Sequence, residues 1–231
     1  MSRSVAIITA RGGSKRIPRK NIKDFLGKPI VAYSIAAALD AGCFDEVMVS
    51  TDDCEIAEVA RKWGASVPFL RSVETSNDFA TTSEVLVEVL NEYRQFDKLF
   101  DHACCIYPTA PFVTAEKLRE AYYLLKQTGA DTVLPVVRFS FPIQRALIIE
   151  DNRLKVLWPE HFNTRSQDLT PAYHDSGQFY FFQVTRFLDT QNLFGINTVP
   201  IELPESEVQD IDTEEDWKIA EMKYTMIHLP K

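Results

Sequence analysis

Short apolar runs of four to seven residues alternate along the chain with stretches whose apolar positions recur every three or four residues. The runs Val5–Thr9, Val47–Ser50, Val67–Leu70, Ala103–Ile106, Thr132–Val136 and Gln178–Val184 have the length and composition of buried strands. The helical stretches lie between them. Pro29 suits the first position of a helix whose stripe is Ile30, Tyr33, Ala37, Ala38 and Ala41, ended by Gly42. Asp52, with Glu55 three residues on, reads as the cap of a second helix ending near Gly64. Residues 81–95 read as a third, and Thr114 opens a fourth with Leu118, Ala121, Tyr122 and Leu125 on one face and Gly129 after it. A last helix runs from about Thr213 to Met226, with Trp217, Ala220 and Tyr224 aligned. This succession predicts an α/β fold, a mostly parallel sheet flanked by helices on both faces.

The rhythm breaks between Arg138 and about Ser176. Prolines punctuate that segment, and Ile148–Val156 reads as a hairpin turning at Asp151-Asn152. The expected organisation is one domain over residues 1–231 with an inserted subdomain at about 138–176.

Composition narrows the class. Of the 231 residues, 45% are apolar and 25% charged, enough to bury a core and too structured a mixture for a disordered, collagenous or disulfide-stapled chain. No apolar run approaches the roughly 20 residues of a membrane span, and no apolar leader precedes the first charges. A cytoplasmic protein with no membrane partner is expected. The net charge of −8 speaks against a nucleic-acid partner. Yet Arg11, Lys15, Arg16, Arg19, Lys20, Lys23 and Lys28 face only Asp24 within their segment, which is therefore +6 on a remainder of −14. That imbalance predicts a local anion site. Cys43, Cys54, Cys104 and Cys105 lack zinc spacing and read as buried free thiols.

In open parallel sheets ligands bind beyond the carboxyl ends of the strands. The segment after the first strand is Ala10-Arg11-Gly12-Gly13-Ser14-Lys15-Arg16-Ile17-Pro18-Arg19-Lys20-Asn21. Its glycines allow close backbone approach to phosphate oxygens, and its Arg and Lys supply forked and point charges. It lacks the glycine spacing of a P-loop and of G-x-G-x-x-G; the alternative is a solvated basic turn. Asp210 and Asp212 would share a side of an extended segment and could hold Mg²⁺, a hard cation that also takes substrate phosphates. Against this, Asp212 with Glu215 makes a capping box. A third candidate region holds Arg165 and Gln167, then Tyr173, His174, Asp175 and Gln178. His174 beside Asp175 suggests a base and its orienter, although chain neighbours rarely face each other usefully.

The block Ala10–Asn21 resembles the signature of the acylneuraminate cytidylyltransferase family, the CMP-sialic acid synthetases. Further blocks follow in order: S-T-D-D at Ser50–Asp53, F-L-R at Phe69–Arg71, Y-P-T-A-P at Tyr107–Pro111, R-S-Q-D-L at Arg165–Leu169 and D-I-D-T-E-E-D-W at Asp210–Trp217. The resemblance spans essentially the whole chain. Phe141–Leu147 and Tyr173–Tyr180 look most like the pseudaminic acid cytidylyltransferases. Tyr107 stands where sialic acid enzymes usually carry Gln, and Asp175-Ser176-Gly177 where they carry Asn-Gly.

The resemblance implies a nucleotide-diphospho-sugar transferase-like, Rossmann-like fold. It implies an Mg²⁺-dependent nucleotidyltransferase joining CTP to a nine-carbon acidic sugar by attack of the anomeric hydroxyl on the α-phosphate, with loss of pyrophosphate. Arg11, Gly13, Ser14, Lys15, Arg16, Lys20, Asn21, Arg71 and Thr82 would bind the nucleotide. Arg11, Lys20, Asp210 and Asp212 would act in catalysis, and Asp210 and Asp212 would hold Mg²⁺. Tyr107, Arg165, Gln167, Tyr173 and Gln178 would face the sugar, Arg165 at its carboxylate. The family is dimeric with an exchanged insert, which implies a homodimer, or a tetramer built from it, joined through residues 138–176. Competing readings are a synthetase for N-acetylneuraminic or legionaminic acid, more distantly for the eight-carbon Kdo, and a non-catalytic nucleotide-binding protein. A Ser or Cys hydrolase lacks the G-x-S-x-G elbow.

Overall fold

The computed structural model describes residues 2–228. Its elements in chain order are β1 (Ser4–Thr9), β2 (Asp24–Phe25), β3 (Lys28–Pro29), α1 (Val31–Ala41), β4 (Glu46–Ser50), α2 (Cys54–Lys62), α3 (Thr82–Gln95), β5 (His102–Ile106), α4 (Ala115–Thr128), β6 (Thr132–Arg138), β7 (Leu147–Glu150), β8 (Arg153–Val156), β9 (Tyr173–Asp175), β10 (Phe179–Gln183), α5 (Val184–Thr190), β11 (Thr198–Leu203) and α6 (Glu214–His228). The main sheet is ordered β11-β6-β10-β5-β1-β4, and β9 also pairs with β6. β1, β4, β5, β6 and β11 run one way; β9 and β10 run against them. The fold is therefore α/β with a mostly parallel sheet, and its one reversed central strand, β10, joins two parallel groups.

The period-two alternation of the strands sorts side chains to two cores. Ala6 and Ile8 of β1, Cys104 of β5 and Phe181 of β10 face the helices α1, α2 and α4. Val5, Ile7, Cys105 and Phe182 face α3 and α5. Gly42 and Gly129 end α1 and α4 in the left-handed region, at φ 62 and 64, where a side chain would be strained. Thr81 and Glu84 close a reciprocal capping box at the start of α3. No helix among the described residues is long and apolar enough to cross a membrane.

Several boundaries differ from the pattern. Pro29 does not open α1; it pairs with Asp24 in a two-stranded ribbon, and the helix starts two residues later, burying Val31, Ser34 and Ile35 besides the predicted alanines. Asp53, not Asp52, caps α2, its carboxylate accepting from the Ile56 N–H at 2.9 Å. Residues 67–70 form no strand: only Ser66 bridges to Met48, since Pro68 has no N–H to continue the ladder. Val184 starts α5 rather than ending a strand, and β9 and β11 lie outside the predicted strands. β11 holds Pro200, which disguises it; it is tolerated because β11 pairs on one side only. Within 138–176, β7 and β8 form the expected hairpin. Asp151 and Asn152 both have positive φ, as a tight primed turn requires. Cys54 is exposed, unlike the buried Cys104 and Cys105 and the half-buried Cys43.

Candidate active site

The carboxyl ends of β1, β4 and β5 and the segment after β11 meet at one edge of the sheet. There they enclose a cleft of about 390 Å³. Arg11, Ser14, Lys15, Arg16, Lys20 and Asn21 line it from the basic loop; Arg71, Thr82 and Tyr107 line its wall, and Asp210 and Asp212 its far side. Gly13 sits within the loop. Residues nearly 200 positions apart are joined by a small apolar cluster: Ile17 of the loop and Ile211 of the acidic segment are both buried with Phe25, Ile30, Phe112 and Trp217. Ile211 is fully buried, so its neighbours Asp210 and Asp212 are turned to the polar side of the segment, toward the cleft. Lys23 fastens the same joint, pairing with Glu214 at 2.7 Å and lying over the Trp217 ring.

The loop is held from below by the S-T-D-D block, whose role sequence reasoning missed. Asp52 accepts from the Gly12 N–H at 2.8 Å. Asp53 accepts from both terminal guanidinium nitrogens of Arg19, at 2.5 and 2.9 Å, and Arg19 also reaches Glu55. The Arg19 hydrogen bonds hold the Asp53 carboxyl down at about 2, below its ordinary range. A Cβ on Gly12 would stand 2.8 Å from an Asp53 carboxylate oxygen, so this glycine is required by close approach. Asn21 is buried, its amide donating to the Arg11 carbonyl at 2.8 Å; it shapes the loop as well as lining the cleft. Arg71 is buried with its guanidinium on the Ser50 hydroxyl and carbonyl, at 3.0 and 2.6 Å.

Four of the cleft cations, Arg11, Lys15, Arg16 and Lys20, have carboxylate partners. Arg11 donates to Asp78 at 2.9 Å and to the Asn77 carbonyl, and Lys15 also binds Asp78. No sequence signal singled out Asp78. Arg16 reaches Asp212 at 2.6 Å, and Lys20 lies 3.7 Å from the same oxygen while donating to the Ile211 carbonyl at 2.7 Å. Burial lowers the Lys20 pKa, against the pull of Asp212 and Asp210. Burial raises that of Asp210, and the nearby charge of Asp212 adds to it.

Asp212 does not cap α6. Thr213 does so: its hydroxyl accepts from the Asp216 N–H at 3.2 Å, and the Asp216 carboxylate accepts from the Thr213 N–H at 2.8 Å. The alternative Asp212–Glu215 capping box is replaced by one shifted a residue on, which leaves both Asp210 and Asp212 for the cleft. Among the described residues no three metal-ligating side chains cluster. Two carboxylates beside cations suited to phosphate, Arg16 and Lys20, nevertheless fit Mg²⁺, which is commonly held by one or two carboxylates plus substrate phosphates.

A second hollow, about 500 Å³, adjoins the first; Tyr107 and Asp210 line both. His174 lines it, but no His–Asp dyad forms: its Nδ1 is 2.8 Å from the Asp175 carbonyl, while the Asp175 carboxylate accepts from Tyr180 O–H and Gly177 N–H. Of the residues predicted to face the sugar, only Tyr107 lines this hollow. Gln178 is buried with its amide on the Glu207 carbonyl, and Tyr173 is exposed at the start of β9. Arg165 is exposed and paired with Asp168, and Gln167 lines a separate groove beside Phe139 and Phe141. A single chain does not bring these four into the cleft. The buried thiols Cys104 and Cys105 are pushed up by desolvation, Cys105 to about 12, which removes them as nucleophiles.

A mostly parallel sheet that delivers a glycine-bearing cationic loop and a carboxylate pair to one cleft defines a nucleotidyltransferase-like α/β protein. The profile described as Cytidylyltransferase matches residues 5–220, and the chain belongs to that family. It is 43% identical over 227 residues to a pseudaminic acid cytidylyltransferase of Campylobacter jejuni, covering 98% of each chain. It is 35% identical over 227 residues to a CMP-N,N'-diacetyllegionaminic acid synthase of Legionella pneumophila, covering 95% of each. A CMP:2-keto-3-deoxy-manno-octonic acid synthetase solved with CTP superposes with a TM-score of 0.69 over 98% of this chain and 99% of that one; at 17% identity it shows the fold.

Proposed function

We propose that this cytidylyltransferase transfers CMP from CTP to a nine-carbon nonulosonic acid, pseudaminic acid, releasing pyrophosphate. The observation that carries the reading is the junction of two chambers at Asp210 and Tyr107: a cationic cleft suited to a triphosphate opens into a polar hollow suited to a sugar. The similarity to pseudaminic acid cytidylyltransferases supports the choice of sugar.

In this reading Arg11, Lys15, Arg16 and Lys20 take the phosphate charge, with Ser14 and the loop N–H groups around Gly13. Arg71, Asn21 and Thr82 position the nucleotide. The sugar's anomeric hydroxyl attacks the α-phosphorus in line, a step that needs orientation and charge neutralisation more than a covalent nucleophile. Asp210 and Asp212 would hold Mg²⁺, which when bound neutralises phosphate charge. Tyr107 closes the wall between the chambers, within 3.4 Å of the Thr82 hydroxyl. His174 is not the base. A histidine-like limb of the pH–rate profile that vanishes in His174→Ala would overturn that assignment.

The segment 138–176 is read as a dimerisation insert on the single domain 1–231. It would carry Arg165 and Gln167 to the partner's cleft in a homodimer.

Pyrophosphate release with Mg²⁺, across four nucleoside triphosphates and a panel of pseudaminic, legionaminic and N-acetylneuraminic acids, tests the proposal. Release with CTP and pseudaminic acid is expected. Release with CTP and another acid would move the reading to that sugar, and none with any pair would favour a non-catalytic nucleotide-binding role.

A further inference from the structure

We infer that Lys223 of α6 is a specificity-determining residue that binds the sugar's carboxylate from within the same chain. The inference rests on the reading of the second hollow as the acceptor chamber. That hollow is lined by three acids, Asp175, Glu205 and Asp210, and among the described residues Lys223 is the only Lys or Arg that lines it. An acidic sugar entering a chamber of acids needs a fixed cation, because like charges in a partly desolvated space repel strongly. Lys223 is fixed. Its ammonium donates to the carbonyls of Glu205, at 3.1 Å, and Val208, at 2.8 Å. An ammonium has three N–H bonds, and no carboxylate pairs with this one among the described residues, so a donor and a full charge remain.

The helix underneath is firm. Trp217 and Ala220 are buried in the cluster that holds Ile17 and Ile211, and Lys223 follows Ala220 by three residues, on the same side of the helix. The Val208 carbonyl it grips is two residues from Asp210, a reach of at most roughly 7 Å along the chain. The sugar's chemistry asks for a cation there. In a nonulosonic acid the carbon bearing the attacking hydroxyl also bears the carboxylate, so an oxygen delivered beside Asp210 brings the carboxylate with it. Ser176 adds an independent sign that the hollow takes a polar ligand: it lines the space, is buried, and its hydroxyl has no hydrogen-bond partner. Arg165, which the family resemblance placed at the carboxylate, lies outside this hollow in its own chain, paired with Asp168, and would reach only a partner's cleft, so the test sets it beside Lys223.

The test compares wild type, Lys223→Met, Lys223→Arg and Arg165→Ala by steady-state kinetics with CTP and pseudaminic acid, with thermal melting alongside. Met keeps the length and apolar stem and removes the charge. Lys223→Met is expected to raise KM for the acid roughly 10- to 100-fold, the scale of a charge-assisted hydrogen bond, with KM for CTP within about twofold. Lys223→Arg should recover most of that loss. The wild type should be inhibited better by the acid analogue than by its methyl ester, and Lys223→Met should lose that preference. A lysine that only pins the 205–208 segment would raise both KM values and lower the melting temperature, which overturns the inference. So would an unchanged KM for the acid in Lys223→Met with a large rise in Arg165→Ala. If the wild type turns over a different nonulosonic acid, the choice of sugar in the proposed function fails, and the same comparison made with that acid still decides Lys223. If it turns over none, calorimetric binding of the acid panel to wild type and Lys223→Met decides, and equal heats overturn the inference.

Discussion

Ile211 places two carboxylates by being buried between them. Its side chain belongs to the cluster under the basic loop, and the extended backbone then turns Asp210 and Asp212 to the opposite side. Because Thr213 and Asp216 cap α6, the proposed role of Asp212 in turnover should separate from the stability that Thr213 supplies. Asp212→Asn should lower turnover by at least roughly 100-fold, the scale of removing one preorganised charge-stabilising group, with the melting temperature retained. Thr213→Ala should do the reverse, costing about 1 kcal/mol of stability with turnover largely kept. Urea midpoints and pyrophosphate release measured on both variants check the pair. Asp53 makes a second prediction. Its folded-state pKa, about 2, is depressed from 3.8 chiefly by the Arg19 hydrogen bond. Its contribution is then complete above pH 3.8 and is lost as pH falls toward 2. The wild-type urea midpoint should fall more steeply over that window than that of Asp53→Asn. Parallel curves would show that the pair is not felt.

At the scale of elements, what the sequence disclosed follows from how local each signal is. Gly42, Thr114 and Gly129 declared their helix ends because a cap is a contact within four residues. Val5–Thr9 and Ala103–Ile106 declared themselves by being buried on both faces. β11 hid because Pro200 is acceptable only on an edge, and an edge is a property of the sheet. The basic loop and Asp210–Asp212 were legible as chemistry. The floor beneath them was not, because Asp52, Asp53 and Asp78 meet the loop only after β1 and β4 pair and the 72–80 segment folds over it. That floor explains Gly12. Gly12→Ala would push a methyl to 2.8 Å from the Asp53 carboxylate, closer than real contacts allow, so the Arg19–Asp53 tie or the loop must shift. We expect KM for CTP to rise about tenfold or more, the order set by small displacements of positioning groups, with the melting temperature little changed. An unaltered KM would mean that the loop reshapes freely and is not built on this floor.

The whole molecule carries an arm that one chain does not cover. On 138–176, Phe141 is 83% exposed, Ile149 74%, Leu154 68% and Phe162 59%, more apolar side chain than a solvated loop usually displays and the composition of a buried contact. The same arm bears Arg165 and Gln167, outside the cleft of their own chain. A second copy answers both facts at once: it would cover the apolar arm and receive Arg165. Symmetry makes the idea quantitative. Arg11 lies in the cleft and Arg165 on the arm, so in a two-fold dimer the two defects of a mixed pair fall in one site and leave the other intact. Chains carrying Arg11→Ala or Arg165→Ala should each be nearly inactive alone. After co-refolding in equal amounts, half the dimers are mixed and half of their sites are whole, so about a quarter of wild-type activity should return. No recovery, with mixed dimers verified by mass, would place both arginines in one chain's site, and an active Arg165→Ala chain on its own would leave Arg165 without a role. Phe141→Asp with Ile149→Asp should shift sedimentation toward the monomer, and activity should fall with it only if the cleft is completed by the partner's arm.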